Sequence, residues 1–372
     1  MQRYCIFVKK QPLMPNYLQN KSKNSNFAEK FIVSMKKIIC LALVAAFGLC
    51  AMAQSKAAQV FDKIAERFTF SGYAQLGWEY HDQSDPNNDF KLNKLIIMSK
   101  LRITDNWSAF AMFDFKGFTL QELWTNYSVK PWLNIKLGQF KTPFSIENPL
   151  SPSILETVDQ PSLATSYMVM GSGLMMPKGA GRDIGLTVYG DAGRYVSYDL
   201  AVMNGAGRGR SDDNSWKDFV ARLTLHPLKC LDVSASTILG KGATDILNEV
   251  DRYLVWKDRE AKLDYTRSRW AVGAYMRTAP IDVRAEWMWG KDGEMDSNGG
   301  YVTALVKNVG VKGLDLIGSF NHLEMFSTTD RYYAGVQYWV YKKCRVQAGY
   351  SYTKIKPLEG ENGILTQVQV AF

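Results

Sequence analysis

The chain has 372 residues, 46% hydrophobic and 13% aromatic, with 10 Trp and 19 Tyr, enough for one large or two ordinary domains. Its formal charge of +9 does not mark a nucleic-acid binder, because residues 1–53 carry eight Lys or Arg and one Glu, leaving +2 for everything that follows. Aromatic enrichment without high overall hydropathy fits a β-barrel girdled by aromatic residues, or a sugar-binding sandwich.

Met35 to Gln54 reads MKKIICLALVAAFGLCAMAQ: two lysines, an apolar run and a small-x-small site ending at Ala53. This pattern predicts a secretory signal over 35–53, and its apolar run is too short to span a bilayer. Residues 1–34 read as an upstream extension from a misassigned start. A lipid anchor on Cys50 is disfavoured by the bulky Leu49 before it. Cys5, Cys40 and Cys50 leave with the signal, so Cys230 and Cys344 remain, able to bridge in an oxidising compartment but implying no framework. After the signal the longest aliphatic run is Leu95 to Met98, so any membrane span is made by strands.

Residues 54–66 form a short amphipathic lead, and from 67 to 372 strands and turns alternate. Sixteen strands are predicted, beginning near Arg67, Asp89, Trp107, Leu120, Trp132, Arg182, Tyr195, Asp218, Leu231, Arg267, Ile281, Tyr301, Leu314, Arg331, Cys344 and Gly363. Most have period 2. Trp270, Val272, Ala274 and Met276 share a parity, as do Val283, Ala285, Trp287 and Trp289, while Arg269, Arg277, Asp282, Arg284 and Glu286 occupy the other. A dry core seldom sets full charges so regularly against bulky aromatics, whereas a wet lumen takes them without desolvation cost. The second strand (KLNKLIIMSKLRI) and fourth (LQELWTNYSV) alternate poorly.

Alternate connections are short, at Thr104, Lys130, Asp191, His226, Thr278 and Tyr341, and those between them read as longer and polar, including HDQSDPNND, GAGRGRSDDNS and KDGEMDSNGG. Two unequal rims and an even strand number are the signature of an all-β, transmembrane, antiparallel up-and-down barrel. Sixteen strands leave an aqueous channel. The longest connection, Lys141 to Gly181, is too long for a mere connector, and as a third long loop it is expected to fold inward and narrow the pore. In the last strand Ile364, Val368, Val370 and Phe372 share the apolar parity, as in the closing strand that periplasmic chaperones and barrel-insertion machinery read.

Leu137 to Glu147, LGQFKTPFSIE, resembles the GQFK-x-PF-x-x-E signature of the phosphate-selective porin O and P family, carried by Gly138, Gln139, Phe140, Lys141, Pro143, Phe144 and Glu147. Supporting phrases follow in order, among them AVMNGAG at Ala201, VRAEWMWG at Val283 and CRVQAGYSY at Cys344, so the resemblance runs through the whole region after Ala53. It implies a homotrimeric outer-membrane barrel of a Gram-negative bacterium, an inward-folded third loop and a basic eyelet that strips water from phosphate. The second strand departs from the family's Arg-rich pattern, with Lys91, Lys94, Lys100 and Arg102, and the third loop has no basic excess.

The expected function is passive diffusion of small, phosphate-like anions, with Lys91, Lys94, Lys136, Lys141, Arg182, Arg222 and Arg284 as pore residues. These cations could equally pair with Asp282, Glu286, Asp114 and Glu79. A non-selective porin, or an adhesin or glycan-binding barrel using its long loops, are the alternatives. Gly138 and Pro143 read as turn-makers, Met168, Met170, Met175 and Met176 as padding for the loop, and GAGRGR at Gly205 as an exposed loop. With only His81, His226 and His322, and Ser319 on the opposite face from His322, the chain reads as a non-enzyme without catalytic residues, metal or cofactor.

Overall fold

Residues 66–158, 161–171, 179–243 and 264–372 are described by the structure, a computed structural model. The segments read as upstream extension and signal, the lead up to residue 65, and Met175 and Met176 lie outside the described residues. Sixteen strands follow one another: β1 (Phe68–His81), β2 (Asn88–Arg102), β3 (Trp107–Asp114), β4 (Thr119–Lys130), β5 (Leu133–Lys141), β6 (Arg182–Ala192), β7 (Val196–Met203), β8 (Asp218–Leu228), β9 (Leu231–Ala243), β10 (Asp264–Arg277), β11 (Ile281–Asp292), β12 (Met295–Val306), β13 (Leu314–Glu324), β14 (Thr328–Tyr341), β15 (Cys344–Ile355) and β16 (Gly360–Ala371). Each pairs antiparallel with its chain neighbours, and β16 closes on β1 with Val368 opposite Leu76 and Ile364 opposite Tyr80. Closure leaves no edge strand with unpaired backbone groups.

The alternation is inside-out relative to a soluble core. Trp270, Val272, Trp287, Trp289, Tyr338, Val346 and Val368 are exposed on the outer face, while Arg269, Arg284, Glu286, Gln337, Gln347 and Gln367 are buried on the inner one. The inner amides satisfy one another: Gln75 Nε2 donates to Gln369 Oε1 at 2.9 Å, Asn93 Nδ2 to Gln367 Oε1 at 3.0 Å, and Gln367 Nε2 to Gln347 Oε1 at 2.9 Å. Polar side chains facing inward thus become a hydrogen-bonded lining around the ring.

The two poorly alternating strands have a structural cause. Between β3 and β4, Met112 faces Glu122 but Phe113 faces Leu120, so Gln121 is an extra, bulged residue and the parity of β4 flips there. Gln139 Nε2 caps the bulge by donating to the carbonyls of Leu120 (2.9 Å) and Gln121 (3.0 Å). In β2, Asn93 and Ile96 are both buried although three residues apart, which strict period 2 forbids.

The two rims are less unequal than the polar spacing suggests. KDGEMDSNGG is not a loop: Lys291 pairs with Asp296 and Trp289 with Asn298, so β11 and β12 continue to a turn at 293–294. Polar residues pair there because backbone hydrogen bonds hold a ladder whatever the side chains. On the opposite rim the connection 307–313 is longer, closed by Asn308 Oδ1, which accepts from the Gly313 amide at 2.8 Å. Cys230 and Cys344 are separate thiols.

Candidate functional site

The connection between β5 and β6 makes its contacts with inward-facing side chains of strands around the ring. Its base is tied by Asn148 Nδ2, which donates to the carbonyls of Thr142 (2.8 Å) and Gly181 (3.0 Å). Beyond that, Ser145 Oγ donates to Glu286 on β11 at 2.6 Å and the Ser145 amide to Ser236 Oγ on β9 at 3.0 Å. Gln75 on β1 donates to the Pro152 carbonyl at 3.3 Å, Arg345 and Gln347 on β15 to the carbonyls of Leu155 (2.8 Å) and Glu156 (2.9 Å), and Arg331 on β14 to that of Pro161. The Leu163 amide donates to Asn321 Oδ1 on β13 at 3.2 Å. A loop lying on the outer surface could not reach these side chains.

Apolar packing seats the same segment. Ser162 caps the short helix α1 (Leu163–Thr165), which runs into a wider turn over Ser166–Met170. Phe144, Ala164, Tyr167, Met168 and Val169 pack with Met203, Val220, Ile238, Ala271 and Met288 of β7–β11, and Met170 packs against this cluster. Met168 and Met170 therefore pad the loop against the wall. The sequence hides this, because the inward parity of β7–β11 carries apolar residues at one level and charges at others.

On the side of β1–β8 the lumen stays open as two cavities, of about 320 and about 280 Å³. Met112, Lys141 and Pro152 line both, so the two meet there. The first is faced by Lys94, Arg182 and Arg208 with Asp114, the second by Lys136 and Arg222 with Glu122 and Asp199. Lys141 Nζ donates to the carbonyls of Asn148 (2.9 Å) and Leu150, which holds the cation at the loop's base with no carboxylate on it. Lys136 Nζ lies over the rings of Trp124 (4.8 Å), Tyr189 (4.7 Å) and Phe140 (5.4 Å), an arrangement that steadies a cation without neutralising it. Arg182 pairs with Glu122 at 3.1 Å and Arg222 with Asp199 at 2.8 Å.

Two expected pore cations sit elsewhere. Arg284 is buried against the loop, 2.8 Å from Glu156 and 3.7 Å from Glu147, and lines neither cavity. Lys91 pairs with Glu79, apart from both cavities. Of the signature residues, Glu147 accepts from the Ser162 amide (3.0 Å) and hydroxyl (2.5 Å), and Phe144 is fully buried. Gly138 adopts φ +133°, where a Cβ would collide with the Leu123 carbonyl. The cation that sequence reasoning missed is Arg208. GAGRGR is not an exposed loop: Gly205, Ala206 and Gly207 are buried, and Arg208 donates to Gln121 at 2.8 Å. Burial and the neighbouring Arg182 hold the Arg208 pKa below its ordinary value. Nothing local in a Gly-Arg stretch signals that it folds back onto a bulge 87 residues earlier.

A closed antiparallel ring of sixteen strands with a polar interior is the barrel of outer-membrane porins. Among solved structures, the anion-selective porin from Comamonas acidovorans superposes with TM-score 0.60 at 12% identity, covering 82% of this chain and 99% of that one. OmpT of Vibrio cholerae in its trimer form gives 0.59 at 12% identity, with 82% and 99% covered. The outer membrane channel DcaP of Acinetobacter baumannii gives 0.57 at 12% identity, with 82% and 97% covered. At such identity the likeness shows the fold. No family profile and no curated protein matches the sequence. The expectation of a non-enzyme is corrected here: OmpT of Vibrio cholerae, an outer membrane protein, shares this barrel, so the fold gives no ground for excluding catalysis.

Proposed function

We propose that the chain is an outer-membrane channel through which small anions, phosphate among them, diffuse down their gradient. The observation that carries this reading is the charge of the two open cavities, lined by six cations (Lys94, Lys136, Lys141, Arg182, Arg208, Arg222) and three carboxylates (Asp114, Glu122, Asp199). In a lumen walled by low-dielectric protein, that surplus raises the local anion concentration. The exposed aromatic and aliphatic outer face fits embedding in lipid, and the secretory pattern at 35–53 fits export with cleavage. A homotrimer inserted by periplasmic chaperones and the barrel-insertion machinery completes the proposal.

Among the six cations Arg182 and Arg222 are ion-paired, which favours a weakly selective porin as the second reading. Reversal potentials in a salt gradient across planar bilayers, with chloride and then phosphate as the anion, separate the two. Anion preference with phosphate blocking chloride current supports the first, equal permeability the second, and cation preference rules out both.

A further inference from the structure

The short-turn rim of the same inner wall carries a group of side chains that permeation does not use. Ser197 on β7, His226 on β8 and Asp232 on β9 stand side by side on neighbouring strands. Ser197 Oγ is 2.7 Å from His226 Nε2, and His226 Nδ1 is 2.6 Å from Asp232 Oδ1. Arg277 on β10 donates to the second oxygen of Asp232 at 2.5 Å. Ser197 alternates with exposed Leu200 and Val202 and shares the inward parity of buried Ala201 and Met203. Its hydroxyl also donates to Asp191 at 2.6 Å. The group opens to the mouth: the His226 side chain is 30% exposed and that of Asp232 19%.

We propose that Ser197 is an acyl-accepting nucleophile, with His226 as its base and Asp232 as the residue that positions the base. A carboxylate on Nδ1 fixes the tautomer that leaves Nε2 free to accept the hydroxyl proton. Ser197 Oγ bonds to the carbonyl carbon of a carboxylic ester while its proton passes to Nε2. The bond from that carbon to the alcohol oxygen then breaks, and the Nε2 proton leaves on the alcohol. Water next bonds to the acyl carbon and gives one proton to Nε2, the bond from that carbon to Ser197 Oγ breaks to release the acid, and Oγ takes the Nε2 proton.

Asp191 restrains this step. A serine hydroxyl has one proton, and when it is donated to Asp191 the imidazole meets Ser197 as a donor and cannot act as a base. The substrate class is a short-chain ester that fits the lumen. The chemistry at Ser197 is independent of the anion preference proposed above.

The test treats the folded full chain in detergent micelles with a fluorophosphonate probe, maps the adduct by mass spectrometry, and follows p-nitrophenyl acetate hydrolysis in parallel. The expected adduct is on Ser197. Ser197→Ala abolishes it, and His226→Gln lowers labelling and hydrolysis by roughly 100-fold, as loss of a general base does. Asp191→Asn raises both several-fold. Asp232→Ala lowers both, and Asp232→Glu restores part of the loss. Heat-modifiable gel mobility reports that each variant is folded. Absence of an adduct on Ser197 in the wild type, equal hydrolysis by Ser197→Ala, or a fall on Asp191→Asn in a folded barrel would overturn the proposal, and none of these results bears on conductance.

Discussion

Arg284 Nη2 lies 2.8 Å from Glu156 Oε2, and this pair joins β11 to the long loop across 128 residues of chain. Both side chains are almost fully buried, so removing the cation leaves two carboxylates, Glu156 and Glu147, without their partner. Breaking a buried pair from one side costs about 3–5 kcal/mol. Arg284→Met is therefore expected to unseat the loop while the ring stays closed. Single-channel recordings should show larger and noisier openings, and an unchanged, quiet conductance would refute the clamp.

Lys141 stands where the two cavities meet. One unit charge acting on an ion about 4 Å away is worth about 1 kcal/mol in water and more behind a protein wall, so its loss is felt several-fold in permeability. Lys141→Glu is expected to move the reversal potential toward cations, whereas Arg284→Met should leave its sign alone. A variant of Lys141 with wild-type selectivity would place the filter elsewhere.

Phe144 is a loop residue fully buried against the inner wall, in one cluster with Met168, Val220 and Met288. Phe144→Ala opens a cavity costing about 3–5 kcal/mol. Because the loss falls on the loop and not on the ladder, protease cleavage near residues 142–158 should accelerate before the temperature of barrel unfolding moves. Simultaneous loss of both would mean that loop and ring unfold as one unit.

Val368 faces outward opposite Leu76 at the closing seam. An outward arginine costs a barrel about 2–4 kcal/mol at the bilayer midplane and about 0–1 kcal/mol near an interface, and Val368 lies three residues from the end of β16. Val368→Arg is expected to lower the stability of the barrel refolded in lipid vesicles by an amount between these limits. Negligible change in urea titrations would mean that this face meets water.

Asp82, just beyond β1, has its carboxyl pKa lowered by donors from Asn362: the side chain at 2.5 Å and the amide at 2.8 Å. A carboxyl depressed in the folded state stabilises it above the unfolded pKa, and that contribution is lost as pH falls through the folded value. The NMR titration of Asp82 should therefore have its midpoint below 3.8, with the Asn362 amide shifting in step. A midpoint at or above the ordinary value would break the assignment.

Strand number, closure and facing were legible because two solvents impose period 2 wherever the wall is one residue thick. Ile281 to Trp289 shows it plainly, and twelve predicted starts fall within one residue of those of β1–β9, β11, β13 and β15. Alternation fails where geometry departs from the ideal ladder, as at the Gln121 bulge, where one extra residue reverses every side chain after it. It also fails at Ser297 to Gly300, a paired stretch with no bulky apolar side chain to mark its outward face. The stretch around Gly138 leads into the segment that packs on the inner wall, but which cations face the open path depends on where the loop rests. That is decided by Phe144 and Met168 meeting Val220 and Ile238, contacts between distant stretches that no local pattern announces. Hence Arg284 became a clamp and Arg208 a wall residue.

The apolar stripe under the loop has a further consequence for anyone wishing to enlarge the passage. Deleting the segment from Phe144 to Val169 would not simply double the bore, because Met203, Val220, Ile238 and Met288 would then face water as a greasy band spanning five staves of the cylinder. Such a surface wets poorly, so the gutted vessel should flicker between filled and empty instead of conducting more.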